Sequence, residues 1–189
     1  GGGVLAEIER FRRIGINVEL LDPARLAHLA QEVPEYAKSR RELRPYQQEA
    51  IDRFREGLTD TGRAQVVLAT GLGKTVVMAE VVADLYRDGL IRENRVLVLA
   101  DKRELIRQLQ FGFWHLLPKW VPTHMLSGDE TPSFYDGITF ATVQSIIGRV
   151  DDLPNFGLVL VDEAHHIGSA SFRRALAALE PPMIGGATA

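Results

Sequence analysis

The sequence contains no cysteine, which excludes disulfide bonds and thiolate metal sites in its 189 residues. No apolar run approaches the roughly 20 residues that span a bilayer, so we expect no membrane contact and, with cysteine missing, a cytoplasmic location. A basic excess is also lacking, because 22 Lys and Arg stand against 25 Asp and Glu for a net charge of −3. Charge alone therefore does not mark the chain as a nucleic-acid binder.

The composition that remains is typical of a globular domain, with 46% hydrophobic and 25% charged residues. We find no internal repeat and no low-complexity segment. Residues 1–41 combine helical apolar spacing with an Asp-Pro start signal at Asp22, which predicts a short helical extension. Residues 42–189 are predicted to form the main domain.

The most informative stretch is AQVVLATGLGKT at 64–75. An apolar strand pattern runs into a glycine turn, and an apolar helix pattern follows at once. This order suits a bound phosphate, because glycines let consecutive N–H groups point inward and the helix presents its positive end. Lys74 would reach the β- and γ-phosphates, and the Thr75 hydroxyl would bind Mg²⁺. The predicted phosphate-binding residues are Thr70, Gly71, Leu72, Gly73, Lys74 and Thr75.

An alternative remains open for this stretch. The full phosphate-loop pattern has glycine where this chain has Leu68. A glycine-rich turn with an exposed lysine at a helix start would give the same letters without binding a ligand. The strand pattern before the loop and the helix pattern after it favour the phosphate loop.

Strand and helix patterns alternate along the main domain, which predicts an α/β fold with a mostly parallel sheet and helices on both faces. Two of the runs are continuously apolar, as in strands buried on both sides. Asp101 is predicted to cap the third helix, and a short helix is predicted from Val143. The predicted strands are 64–69, 95–100, 124–126, 138–141, 158–161 and 183–187, and the longer helices are 44–54, 76–85, 101–117 and 169–179.

Ligands of parallel sheets gather at the carboxyl ends of the strands. Asp162 and Glu163 directly follow an apolar run, as Thr142 and Thr188 do. Asp162 could hold Mg²⁺ through its water molecules. Glu163 could accept a proton from a water that attacks the γ-phosphorus. The alternative is an acidic pair that only caps the next helix.

Two other groups of residues invite site hypotheses that we reject. His165 and His166 are adjacent and do not share a helix face, and no third ligand is evident, so we predict no zinc site. Four aromatic residues could be base-stacking platforms, but three of them share a helix with leucines, which favours packing against the sheet. They are Phe111, Phe113, Trp114 and Trp120.

With TGLGKT at 70–75 and DEAH at 162–165, the chain resembles the first RecA-like domain of a superfamily 2 DEAD/DEAH-type helicase. Five segments in order carry a narrower resemblance, over about residues 42–189, to the motors of type I and III restriction enzymes and their DNA-repair relatives. They are LRPYQQEAI at 43–51, LATGLGKT at 68–75, VLVLADKRELIRQ at 96–108, FATVQSI at 140–146 and LVLVDEAHH at 158–166.

The resemblance implies ATP and Mg²⁺ as cofactors and assigns further residues. Gln47, with Arg44 nearby, matches the element that reads adenine, although an ordinary polar helix start is the alternative. Two loops match those that hold a nucleic-acid strand by its phosphates, and simple helix capping is the alternative there. The nucleic-acid residues so implied are Lys102, Arg103, Thr142 and Gln144.

The resemblance also implies a coupling role for His165, which senses the γ-phosphate, and for Thr188 in the last motif. Gly186 stands where the family usually has Ser or Thr, which removes a hydroxyl from that motif. The family's second RecA-like domain, with its arginine finger, is expected as a partner that this sequence does not include. An arginine finger contributes about 10³- to 10⁵-fold in rate, so we expect the isolated chain to hydrolyse ATP negligibly.

The leading hypothesis is a motor domain that couples ATP hydrolysis to movement on nucleic acid, with DNA favoured over RNA by the restriction and repair resemblance. The competing hypothesis is a P-loop ATPase that does not act on nucleic acid. That alternative gives no reason for the LRPYQ and FATVQSI segments.

Overall fold

A computed structural model describes residues 42–118, 120–128, 130–164 and 169–189, together with Arg13. The chain divides into two units, Gly1–Leu43 and Arg44–Ala189, and every element below belongs to the second unit. Apart from Arg13, the helical extension predicted for residues 1–41 lies outside the described residues. That part of the prediction therefore stays a prediction.

Within the described residues, six strands form one sheet whose neighbouring strands are all parallel, in the order β1-β6-β5-β2-β4-β3. The strands are β1 (Arg63–Val67), β2 (Arg95–Ala100), β3 (Thr123–Leu126), β4 (Gly137–Thr142), β5 (Leu158–Asp162) and β6 (Met183–Thr188). The helices are α1 (Pro45–Thr61), α2 (Lys74–Arg87), α3 (Arg103–Leu116), α4 (Val143–Ile147) and α5 (Ala170–Leu179), with single 3₁₀ turns at Arg92–Asn94 and Val150–Asp152. The predicted α/β fold class is confirmed.

The centre of the sheet is made by the two continuously apolar runs. Residues 96–100 of β2 and 158–161 of β5 are buried throughout, and the two strands pair directly, with Leu97 opposite Val159. A strand buried on both faces has no solvent side, so it shows no alternation of polar and apolar residues. This is why both strands could be located from the sequence without an alternating pattern.

Helices cover both faces of the sheet. Helices α1, α2 and α3 pack together on one face, where the Phe113 ring of α3 meets Phe140 of β4 edge to face at 5.3 Å between centroids. Helices α4 and α5 cover the opposite face. There, Leu97, Leu99, Val159 and Val161 of the central strands form a buried cluster with Phe172 of α5 and its neighbours.

The register of the sheet brings the ends of non-consecutive strands together. Val67, the last residue of β1, lies beside Thr188 of β6, and Asp162, the last residue of β5, lies beside Ala187. Neighbouring strands are about 4.8 Å apart. The loop after β1 and the turn after β5 therefore flank the end of β6, although about ninety residues of chain separate them.

The prediction that Asp101 caps the third helix is wrong. Helix α3 begins at Arg103, its N-cap position is the extended residue Lys102, and no side chain makes the capping hydrogen bond. Asp101 and Lys102 form the turn that connects the end of β2 to the start of α3. The acidic residue in the first turn is Glu104, which favours the helix end electrostatically.

The prediction that the aromatic group packs against the sheet holds only for Phe113, which is fully buried. Phe111, Trp114 and Trp120 are exposed by 62%, 53% and 64%. Trp120 instead contacts the Tyr86 ring at 5.5 Å, and Trp114 Nε1 donates to Thr123 Oγ1 at 2.5 Å. Ile106, Leu109 and Phe113 of α3 are buried, and the way this face is seated leaves positions 111 and 114 exposed. No helix of the described residues is long and apolar enough to cross a membrane.

Thr139 is a buried polar residue whose contribution to the free energy of unfolding can be tested by mutation. It lies fully buried in β4, and its Oγ1 has no hydrogen-bond partner among the described residues. A buried hydroxyl without a partner costs about 1–3 kcal/mol. Thr139→Val keeps the branched shape, so we expect it to raise the free energy of unfolding by about 1 kcal/mol in a chemical denaturation experiment. Thr139→Ser keeps the hydroxyl and should lower it by a similar amount, about 0.8 kcal/mol for one lost methyl group. A less stable Thr139→Val chain would contradict the prediction.

Candidate nucleotide site

The loop between β1 and α2 has the backbone of an anion-binding turn. Gly71 and Gly73 adopt φ angles of +84° and +94°, which glycine reaches without steric cost. The N–H of Leu72 donates to the carbonyl of Ala69 at 3.1 Å, closing a turn, and helix α2 begins at Lys74. The unpaired N–H groups and the positive end of this helix are therefore directed at the loop.

The missing glycine at position 68 has a structural reason. Leu68 donates its N–H to the carbonyl of Thr188 at 3.0 Å and so prolongs the pairing between β1 and β6. Its φ angle is not positive, in contrast to Gly71 and Gly73. Position 68 follows directly on β1 and precedes the turn that begins at Ala69, so a residue with a side chain fits there.

Lys74 and Glu163 meet across the site. The Lys74 Nζ lies 2.5 Å from Glu163 Oε1, although the two residues are 89 positions apart. Their side chains are 15% and 32% exposed, so the ion pair is partly shielded from water. The pair exists because β1 and β5 both lie beside β6, which brings the turn after β5 within reach of a long lysine side chain.

The two acidic residues occupy different backbone positions. Asp162 is the last residue of β5 and is half-buried. Glu163 has a φ of +54°, in the left-handed region that a residue with a side chain adopts at a cost. The strand β5 therefore ends at Asp162, and Glu163 starts the turn that follows it.

Gln47 lies against the phosphate loop. Its Nε2 donates to the carbonyl of Leu72 at 2.9 Å, and its Oε1 accepts from the N–H of Arg44 at 3.1 Å. A Cβ on Gly73 would collide with the same Nε2 and displace the end of the Gln47 side chain, and the φ angle of +94° favours glycine there independently. Each half of an amide can make a further hydrogen bond, so the predicted contact with adenine remains a prediction.

Tyr46 is a site residue that sequence reasoning missed. It is half-buried, and its hydroxyl donates to the Leu72 carbonyl at 3.3 Å. Arg44 is exposed, and its guanidinium donates to the Tyr46 hydroxyl at 3.3 Å. The sequence offered one indication of this role, because Tyr46 lies next to the predicted site residue Gln47 in the first turn of α1.

The four predicted nucleic-acid residues lie farther along the same edge of the sheet, after β2 and β4, whose last residues Ala100 and Thr142 are partners. Thr142 is the N-cap of α4: its Oγ1 accepts from Ser145 N at 3.3 Å and lies 2.8 Å from Ser145 Oγ. Its side chain thus caps a helix, as the alternative interpretation held. Lys102 and Gln144 are exposed and Arg103 is half-buried.

Of the two predicted coupling residues, only Thr188 lies within the described part of the chain. Thr188 ends β6 and is buried, between the loop that contains Lys74 and the strand that ends at Asp162. His165 lies outside the described residues, as does His166. The structure thus brings together the loop 70–75, Gln47, Glu163 and the end of β6, and places the nucleic-acid candidates two and three strands away from β6.

Comparison with known proteins supports this geometry. A family model described as the type III restriction enzyme res subunit matches residues 40–189. The putative ATP-dependent helicase IRC3 of Saccharomyces cerevisiae is 34% identical, over 71% of this chain and 20% of the relative. The putative DNA 3'-5' helicase Rad25 of Halobacterium salinarum is 30% identical, over 70% of this chain and 21% of the relative. The chain thus spans about a fifth of these relatives.

Solved structures show the same fold at low sequence identity. The SWI2/SNF2 ATPase core of Sulfolobus solfataricus in complex with double-stranded DNA matches with a TM-score of 0.66 at 18% identity, over 79% of this chain and 32% of that one. The UvsW helicase of bacteriophage T4 matches with a TM-score of 0.63 at 18% identity, over 98% of this chain and 70% of that one. The resemblance to a first RecA-like domain is confirmed, and the chain belongs to the type III restriction enzyme res subunit family of superfamily 2 helicase-type ATPases.

Proposed function

We propose that this chain is the ATP-binding half of a DNA-dependent motor, which couples ATP hydrolysis to movement along DNA. The observation that carries the proposal is the meeting of Lys74 and Glu163 at 2.5 Å beside the phosphate loop. A lysine for phosphates and a carboxylate for water must face one another if a triphosphate binds between them. No other part of the described chain combines a loop of this geometry with such a pair.

The residues present fit ATP and Mg²⁺. The left-handed glycines and the start of α2 form a cradle of N–H donors for phosphate oxygens. Thr75, in the first turn of α2, and Asp162, at the end of β5, supply oxygen ligands of the kind that Mg²⁺ prefers. When bound, Mg²⁺ would neutralise charge on the β- and γ-phosphate oxygens.

Glu163 would orient the attacking water and accept its proton. In the observed arrangement its carboxylate is held by Lys74, which suppresses both roles. A triphosphate would offer Lys74 a stronger anionic partner, so Lys74 would turn to the phosphates and Glu163 would be released toward the water. Nucleotide binding would then itself release Glu163 to act as the general base.

DNA is proposed as the track for two reasons. Lys102, Arg103, Thr142 and Gln144 lie at one edge of the sheet, where one exposed cation, one half-buried cation and two helix starts can hold phosphates without reading bases. One relative is named as a putative DNA helicase, and one structural neighbour was solved with double-stranded DNA. We propose DNA over RNA on these grounds.

A second RecA-like domain is proposed as the partner that completes the site. The relatives are about five times longer than the matched region, which leaves room for it. His165 and Thr188 are proposed to couple hydrolysis to the movement of that domain. A cytoplasmic location, in keeping with a chain that lacks cysteine, completes the proposal.

The roles of Lys74 and Glu163 can be separated by mutation in the complete protein. Lys74→Ala should abolish ATP binding. Glu163→Gln should lower the ATPase kcat by about 10²- to 10⁴-fold, the usual range for loss of a general base, and should bind ATP at least as tightly, because Lys74 loses a competing partner. Steady-state ATPase and equilibrium binding of a fluorescent ATP analogue measure the two effects.

A matched control is Glu180→Gln, which changes an exposed glutamate that also has a left-handed backbone, at φ +41°. It should leave both binding and turnover unchanged. Full turnover by Lys74→Ala and Glu163→Gln would refute the assigned roles.

The nucleic-acid edge can be tested with two cations at opposite ends of β2. Lys102→Ala, at the carboxyl end, should raise the DNA concentration needed for half-maximal ATPase stimulation by about 5- to 10-fold, since one lost phosphate contact is worth about 1 kcal/mol. Arg92→Ala, just before the amino end and 70% exposed, should change it less than about 2-fold. If DNA does not stimulate the ATPase activity of the unmodified protein, the result would favour a P-loop ATPase that does not act on nucleic acid.

A further inference from the structure

Gly112 occupies an unusual position for a glycine. It lies inside helix α3, where glycine is less favourable than alanine by about 1 kcal/mol. A Cβ at this position would stand 2.7 Å from Cγ2 of Thr75 and 3.8 Å from its Cβ. Helix α3 therefore approaches the first turn of α2 so closely that a side chain at position 112 would collide with the methyl group of Thr75.

The atom that Gly112 approaches belongs to the residue proposed to bind magnesium. Thr75 is branched at Cβ, so its Cγ2 and Oγ1 turn together about a single side-chain torsion. The Cγ2 packs toward the backbone of α3 at Gly112. Any movement of Cγ2 that relieves crowding there would turn Oγ1 through the same angle.

We propose that Gly112 is a positioning residue for Thr75: its lack of a side chain leaves space for the Thr75 methyl group and thereby fixes the hydroxyl in the direction that a magnesium ion on the nucleotide requires. The inference rests on the function proposed above. Gly112 itself touches neither nucleotide nor metal, so its contribution passes entirely through the Thr75 torsion.

The packing explains why a rotation of Thr75 is the expected response to crowding. Helix α3 is held by Ile106, Leu109 and Phe113, which are buried against the sheet, and Val77 and Met78 of α2 are fully buried as well. A well-packed interior resists shifts of whole helices. Thr75 is only half-buried, so its side chain is the part that can yield.

The test is nucleotide affinity of the full 189-residue chain with and without the metal. A fluorescent ATP analogue is titrated in MgCl₂ and again in excess EDTA. Gly112→Ala should weaken binding in MgCl₂ by about 10- to 100-fold, the usual cost of losing a residue that orients a metal ligand. In EDTA its affinity should stay within about 2-fold of the unmodified chain, because the phosphate loop is untouched.

Rescue distinguishes positioning from general packing. Thr75→Ser removes Cγ2 and keeps the hydroxyl, so Gly112→Ala added to Thr75→Ser should cost less than about 2-fold in MgCl₂ relative to Thr75→Ser alone. Gly57→Ala, in helix α1, is the matched control, because a Cβ there would stand 3.0 Å from the Cβ of Ala64 in β1. It should leave the ratio of the two affinities unchanged.

Three results would overturn the inference. They are equal losses in MgCl₂ and EDTA for Gly112→Ala, no rescue by Thr75→Ser, and a Gly57→Ala chain with the same magnesium-dependent loss.

If Gly112→Ala does not fold, as judged by its thermal unfolding midpoint, the rescue pair and Thr75→Val carry the test. Thr75→Val keeps the branched shape and must lose the magnesium-dependent affinity, and retained affinity would overturn the inference. An unmodified chain that binds no ATP in either buffer would instead refute the proposed function.

Discussion

The site depends on one constraint, the insertion of β6 between β1 and β5. Parallel pairing on both sides of β6 places the ends of three strands at one edge, and Lys74 and Glu163 meet over the end of the middle strand at 2.5 Å. The ion pair does not hold the fold together, since a partly exposed pair contributes little to stability. It is instead the consequence of strand order, and strand order is fixed by buried apolar surface.

The predictions from sequence that succeeded rest on local patterns. The runs at 95–100 and 158–161 were located because strands buried on both faces have a distinctive apolar composition. The glycine loop was located because its backbone angles of +84° and +94° demand glycine. Both are local features, in which a few neighbouring residues determine the conformation. The parallel sheet predicted that strand ends gather at one edge, and the contact of Lys74 with Glu163 depends in addition on the position of β6 between β1 and β5, which no local pattern indicates.

The failures of sequence reasoning concern contacts between elements. Trp114 and Phe111 share a helix with buried leucines, and only the placement of α3 on the sheet decides that they are exposed. The hydrogen bond from Tyr46 to Leu72 and the close approach of Gly112 to Thr75 depend on how α1 and α3 lie relative to α2. No spacing rule encodes such distances. Glycine inside a helix was the one available signal, because its unfavourable propensity calls for a compensating contact.

Helix α3 carries residues of both proposed sites, the edge for DNA and the nucleotide site. Its first residue, Arg103, belongs to the edge proposed for DNA, and Gly112, about 13 Å farther along the helix axis, contacts the proposed magnesium ligand Thr75. A well-packed interior transmits strain. Under the proposed function, strain placed on α3 by bound DNA would therefore reach the Thr75 torsion through this contact. Because the chain has a net charge of −3 and no basic excess, binding of DNA under the proposed function would rest on a few well-placed donors, such as Lys102 and Arg103 at the start of this helix.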